Sequence, residues 1–123
     1  MKARKARLAI ERLEDRDVPS AVVYADFNKD GLMDMAAVTG PKAITVSLAN
    51  PDGSYTISAI LTVSKNQSLS SVDVGDYNHD GNLDISAGSP AGSDWLYVNS
   101  WMGNGDGTFG PVTTTRWFHK ANF

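Results

Sequence analysis

Cysteine is absent from the 123 residues. That removes disulfide frameworks, thiolate-bound zinc and thiol nucleophiles as readings of this chain. Histidine is scarce, with His79 and His119 lying far apart, so no Ser-His-Asp constellation can be argued. No apolar run approaches the roughly 20 residues of a membrane-spanning helix, so no transmembrane segment is expected. A basic surface stripe is also missing. Lys and Arg cluster only in the first twenty positions, with no aromatic residues among them, so nucleic-acid binding is not expected. What remains is a chain of one modest domain or a few repeat units, with enough hydrophobic residues for a packed core.

The net charge of −3 conceals an asymmetry. Residues 1–20 carry six basic and four acidic residues, and the rest of the chain five basic and ten acidic. Six of those ten acids fall in two nine-residue segments, 26–34 and 76–84. Carboxylates gathered in this way repel one another at neutral pH unless a cation joins them.

The first twenty residues differ in composition from the rest of the chain. Glu11 and Arg12 interrupt the apolar stretch after Leu8-Ala9-Ile10, whereas a secretory signal needs about 7–15 uninterrupted apolar residues. The segment therefore reads as a short, charged, partly helical leader that ends at Pro19. Its run Arg-Leu-Ala-Ile-Glu-Arg-Leu-Glu-Asp-Arg-Asp-Val-Pro-Ser resembles the N-terminal segment of large planctomycete surface proteins, in which it precedes extracellular repeats.

Beyond residue 20 the pattern is that of β-structure. Residues 21–24 and 33–38 are short apolar runs. Residues 42–48 alternate, with Ile44, Val46 and Leu48 on one face. Asn50-Pro51-Asp52-Gly53 reads as a turn. A fourth strand over 54–60 is expected to place Tyr55, Ile57 and Ala59 on one face. The same order then recurs, with strands over 71–75, 83–87, 94–101 and 108–115 and a turn at 103–107. Asp26 and Asp76 are 50 residues apart, and Asp52 and Asp106 are 54 apart, so the second unit carries four extra residues near 89–93. Four strands per unit at this period predict an all-β fold of two four-stranded antiparallel blades, a partial propeller. The units are 21–65 and 66–123, after the leader 1–20. A two-sheet sandwich with halves alike by chance is the plainer alternative, which the shared loops disfavour.

The acidic segments read Asp26-Phe27-Asn28-Lys29-Asp30-Gly31-Leu32-Met33-Asp34 and Asp76-Tyr77-Asn78-His79-Asp80-Gly81-Asn82-Leu83-Asp84. Both are D-x-N-x-D-G-x-x-D. Calcium takes about 6–8 oxygen ligands. Side chains at positions 1, 3 and 5 can converge on one ion if the backbone curls, and glycine at position 6 permits the turn. Position 7 can offer its carbonyl, from Leu32 and Asn82, and Asp34 or Asp84 closes the shell. Two Ca2+ sites are thus expected: Asp26, Asn28, Asp30, Leu32 and Asp34 at one, and Asp76, Asn78, Asp80, Asn82 and Asp84 at the other. The loops are not EF-hands, because Ala37 and Ala87 stand where the bidentate Glu is needed.

These motifs resemble FG-GAP or VCBS repeats, the blades of integrin α-type β-propellers. Residues 24–38 and 74–85 carry the likeness, and Gly103-Asn104-Gly105-Asp106-Gly107-Thr108-Phe109-Gly110 resembles the family's hairpin. Residues 48–55 are a looser copy. The resemblance implies a non-catalytic, calcium-stabilised module of an extracellular or cell-surface protein, used for adhesion or for binding a protein or carbohydrate ligand. It also implies further blades, from other copies or a longer parent chain, because the family closes rings of about seven. The alternative is an accessory or partial domain of a secreted polysaccharide-acting enzyme. Trp95, Tyr97, Trp101 and Phe109 could line a carbohydrate face, although packing between blades is the commoner use of such residues. His79 and His119 read as a loop and a tail residue, and Asp52 and Asp106 as turn formers.

Overall fold

The structure, a computed structural model of the chain, describes residues 21–64, 66–90 and 95–118. The leader 1–20 lies outside the described residues, as do Asp94 and His119.

Among the described residues, eight strands form two sheets with the same up-and-down order. The first holds β1 (Val22–Ala25), β2 (Asp34–Gly40), β3 (Ala43–Ala49) and β4 (Tyr55–Thr62). The second holds β5 (Ser71–Gly75), β6 (Asp84–Pro90), β7 (Trp95–Trp101) and β8 (Thr113–Phe118). Every pairing is antiparallel, and no helix occurs among the described residues. Short sequence-adjacent connections dictate this arrangement, since antiparallel neighbours can be joined by tight turns. The all-β architecture of two four-stranded antiparallel sheets, consistent with propeller-type blades, is therefore as expected.

Two details differ from the simple alternation. A bulge interrupts the β3–β4 ladder, where Val46 pairs with Ala59 but Ser47 pairs with Ile57. The extra residue, Ser58, shifts the side-chain alternation. Tyr55 and Ile57 therefore face one way and Ala59 the other, so the expected shared face of these three is wrong. The last strand starts later than expected, at Thr113 and not at 108. Phe109 makes an isolated bridge to Gly103, and residues 110–112 are irregular.

One apolar core spans both sheets. From the first come Ala25, Ala36, Val38, Ile44, Val46 and Leu61, and from the second Ile85, Ala87 and Trp101, with Phe27 and Leu69 from the connections. β5 lies against β1 and β2. Ser58 Oγ donates to the Gly107 carbonyl across the junction (2.9 Å). Gly107 has φ +93°, a left-handed conformation that favours glycine, and a Cβ there would press on the movable end of the Leu48 side chain. Beside the core, Asn99 is fully buried, and its amide is satisfied by Gln67 and the Ala87 carbonyl.

Candidate metal centre

Each acidic segment joins the first two strands of its sheet, between β1 and β2 and between β5 and β6. The loops curl through two left-handed residues apiece. Lys29 (φ 64°) and Gly31 (φ 86°) turn the first, and His79 (φ 60°) and Gly81 (φ 89°) the second. Left-handed backbone is rare outside glycine, so its recurrence at positions 4 and 6 marks one conformation built twice.

Hydrogen bonds copy from loop to loop. Asp26 Oδ1 accepts from Asp30 N–H (3.2 Å) and its Oδ2 from Gly31 N–H (2.7 Å). Asp76 does the same with Asp80 (3.1 Å) and Gly81 (2.8 Å). Leu32 and Asn82 donate their N–H groups to Oδ1 of Asp30 and Asp80. Burial works against ionisation of Asp26, but the N–H groups of Gly31, Asp30 and Lys29 outweigh it and hold the carboxyl below the ordinary aspartate value. At Asp76 the Gly81 N–H is the leading influence in the same direction, helped by those of Asp80 and His79. Both first-position carboxylates are thus held in the charged form that a cation requires.

Position 9 does more than the sequence suggests. Asp34 and Asp84 are fully buried. Asp34 Oδ2 accepts from Phe27 N–H (2.8 Å) and Oδ1 from Ala49 N–H at the end of β3 (2.8 Å). Asp84 Oδ2 accepts from Tyr77 N–H (2.9 Å) and Oδ1 from Gly103 N–H just past β7 (2.7 Å). A buried charge is tolerated when hydrogen bonds satisfy it. Each of these carboxylates therefore clamps the loop to the far end of the third strand. Ala49 and Gly103 lie 15 and 19 residues further along the chain, and nothing in the local motif announces them.

The fit to a cation is best read at the first loop. Carboxylate oxygens of Asp26, Asp30 and Asp34 all lie within 4.8 Å of one another. Two oxygens on opposite sides of a calcium ion, each about 2.4 Å from it, would be about 4.8 Å apart, so these three fit one ion. Without one, each pair of charges repels by about 1 kcal/mol even at the dielectric constant of water. Asn28 Oδ1 adds a separate sign. It is buried and, among the described residues, is the buried side-chain oxygen or nitrogen without a hydrogen-bond partner. An orphaned buried oxygen is costly, and a hard cation among the neighbouring carboxylates would satisfy it. Its amide nitrogen donates to Asp30 Oδ2 (3.3 Å). Asp26, Asn28, Asp30 and Asp34 thus fit a calcium ion, while Leu32 stands where the turn exits. In the second loop Asn78 donates to Asp80 Oδ2 (3.4 Å) and is exposed.

Other candidates settle into structural roles. Asp52 accepts from the Ser54 N–H and hydroxyl, and Asp106 from those of Thr108, as turn formers do. Trp101 is buried in the core, and Phe109 packs edge-on against Phe27, with centroids 5.8 Å apart. Trp95 and Tyr97 are half-buried, and the Arg116 guanidinium lies 4.3 Å from the Trp95 ring centroid. His79 is an exposed loop residue.

An FG-GAP-like repeat family model matches residues 26–87, from the first position of the first loop to the strand after the second. The chain belongs to the FG-GAP-like repeat family. Repeats of this family typically occur in extracellular proteins and are typically non-catalytic. No curated protein and no solved structure matches the chain.

Proposed function

We propose that this chain is a calcium-binding repeat module of an extracellular or cell-surface protein, serving adhesion or the binding of a protein or carbohydrate ligand and performing no catalysis. The observation that carries the calcium reading is the buried, unpartnered Asn28 Oδ1 beside the trio Asp26, Asp30 and Asp34. The second loop repeats the same backbone turn and hydrogen bonds, which supports a second site on Asp76, Asn78, Asp80, Asn82 and Asp84. The ions would be structural. Each would neutralise a self-repelling loop whose ninth residue is already tied to the sheet, so binding would favour the folded chain over the unfolded one.

The surface-protein reading rests on the family and on the resemblance of the leader to planctomycete surface proteins. Weak, extracellular-range affinity of about 10⁻⁴–10⁻³ M suits such a module. Calorimetric titration of the purified chain should reveal calcium binding in that range, with a melting temperature raised by calcium and lowered by EDTA. Absence of both binding heat and thermal shift at several millimolar calcium would sink the proposal.

A further inference from the structure

Between the sheets, Phe27, Ala36, Ile44, Val46 and Leu48 of the first unit form a seat that the second unit covers. Phe109 packs edge-on against Phe27, and Gly107 lies against Leu48. The hairpin 103–109 is therefore a piece of the second unit that lands on this seat. The repeat builds the seat a second time, on the open side of the second sheet. Ala36 pairs with Val46 as Ser86 pairs with Ser100, and Val38 with Ile44 as Gly88 with Val98. Phe27, Ala36, Ile44, Val46 and Leu48 thus become Tyr77, Ser86, Val98, Ser100 and Met102. Those same five residues line an open, mainly apolar hollow of about 280 Å³. Leu96 and exposed Trp117 lie on the same face. Every residue lining the hollow stands at a position that the first unit keeps covered.

The repeat also supplies the piece that fits. The hairpin 103–109 has its counterpart in 49–55, where Gly53 stands for Gly107 and Tyr55 for Phe109. Both hairpins are closed by the same backbone bond, Asn50 N–H to the Ser54 carbonyl and Asn104 N–H to the Thr108 carbonyl. Both glycines are left-handed, at φ +91° and +93°. Their surroundings differ. Gly107 is buried against Leu48, whereas the space beside Gly53 is open and Tyr55 is 48% exposed. The sheet face beside this hairpin is bare as well. Tyr24 is exposed where its counterpart Val74 packs against the core. The chain thus carries one half of its own internal junction free at each end.

We infer that a second copy of this chain docks head to tail, with its hairpin 49–55 seated in the hollow and its Tyr55 beside Tyr77 as Phe109 lies beside Phe27. The junction inside the chain is the template for the junction between copies. The inference rests on the repeat and not on bound calcium. Because the two joined faces differ, every docked copy leaves one of each free, and copies add until a ring closes or a chain of them grows. The new seat is more polar than the internal one, with Ser86, Ser100 and Asp73 in place of Ala36, Val46 and Val23. Covering polar groups costs free energy, so docking is weaker than the internal junction and depends on concentration. Bonds already made reduce that cost: the Tyr77 hydroxyl pairs with Ser86 Oγ (2.9 Å), and Asp73 accepts from the Val74 N–H (2.9 Å).

Sedimentation equilibrium of the full chain, with calcium present and over a wide concentration range, tests it. The parent should form species larger than the monomer. Tyr55→Lys damages the hairpin end and Met102→Lys the hollow end, and each should weaken association by about tenfold or more, because docking would bury an unpaired charge. An equimolar mixture of the two variants should regain a dimer and nothing larger. The intact hollow of the first then receives the intact hairpin of the second, and no other pair of undamaged ends remains. Circular dichroism checks that the variants fold, and Tyr55→Ser with Ser100→Lys is the pair to use where a lysine at position 55 or 102 unfolds the chain. A parent chain that is monomeric at every concentration overturns the inference. So does association that the hollow variant leaves intact, or a mixture that regains no dimer, since either outcome places the contact on other faces.

Discussion

In the first loop Phe27 is 2% exposed and meets Phe109 of the second unit edge-on, whereas in the second loop the same position holds Tyr77, 43% exposed. The Asn side chains at position 3 differ in the same sense: Asn28 is partly covered with its oxygen buried, and Asn78 is exposed. The hydrogen-bond skeletons beneath are nevertheless the same. The comparison separates two things that one motif encodes. Backbone shape comes from the nine residues themselves and is reproduced wherever they occur. The environment of the acidic side chains comes from whatever packs over the loop, and among the described residues only the first loop has a neighbouring sheet to do so.

The largest effect expected concerns what the loops share. Asp34→Ala would leave the N–H groups of Phe27 and Ala49 without acceptors, and Asp84→Ala those of Tyr77 and Gly103. Stranding buried donors costs about 1–3 kcal/mol each, so each variant should lose about 2–4 kcal/mol of stability in urea unfolding, even with EDTA present. A loss that disappears in EDTA would show that these residues act only through the ion. Losses of very different size would break the equivalence of the two clamps.

These clamps also show where sequence reasoning stops. The repeat, the strand order, the acidic loops and the Asp-turn hairpins are legible because each is a local pattern: alternation of side chains, a glycine at a fixed offset, an Asp two residues before a hydroxyl. The clamp is not local, because its acceptor and donor are brought together only when the third strand pairs beside the second. The bulge at Ser58 is hidden for a related reason. Alternation of Tyr55, Ile57 and Ala59 looks unbroken, and the slip is set by pairing with β3 and by the reach of Ser58 to Gly107. The late start of β8 comes from the Gly103–Phe109 bridge, which holds Phe109 beside Phe27 and delays regular pairing until Thr113.

A sharper test of the difference between the loops uses position 3. Asn28→Ala removes an oxygen that is buried and unsatisfied without an ion. In EDTA the variant should be as stable as the parent or up to about 1 kcal/mol more stable, because an uncompensated polar atom is gone. With calcium it should gain less stability than the parent, and its tighter calcium-binding step should weaken about tenfold. Asn78→Ala should leave stability in EDTA unchanged, since that side chain is already in water. If Asn28→Ala destabilised the calcium-free protein by more than about 1 kcal/mol, the side chain would be a packing element and not a waiting ligand.

The smallest effect expected belongs to the hairpins, in which the two units are alike. Asp52 is held below its ordinary pKa chiefly by the Ser54 hydroxyl and then by the Ser54 N–H, and Asp106 in the same way by Thr108. A carboxyl whose folded-state pKa is depressed binds its proton more readily in the unfolded chain. Its contribution to stability is therefore complete above the unfolded value of about 4 and fades as pH falls through the lower folded value. Acid unfolding between about pH 5 and 2 should show this slope in the parent chain with EDTA present. Asp52→Asn and Asp106→Asn should each flatten it slightly and equally, because both turns are exposed and both use a hydroxyl two residues on. Asn keeps an acceptor oxygen for the N–H, so each turn should persist at neutral pH. Asp26 and Asp76 contribute to the same slope, with the same sign, and saturating calcium should shift their part of it to lower pH by competing with protons. A slope that both hairpin variants leave untouched would assign the acid sensitivity wholly to the metal loops.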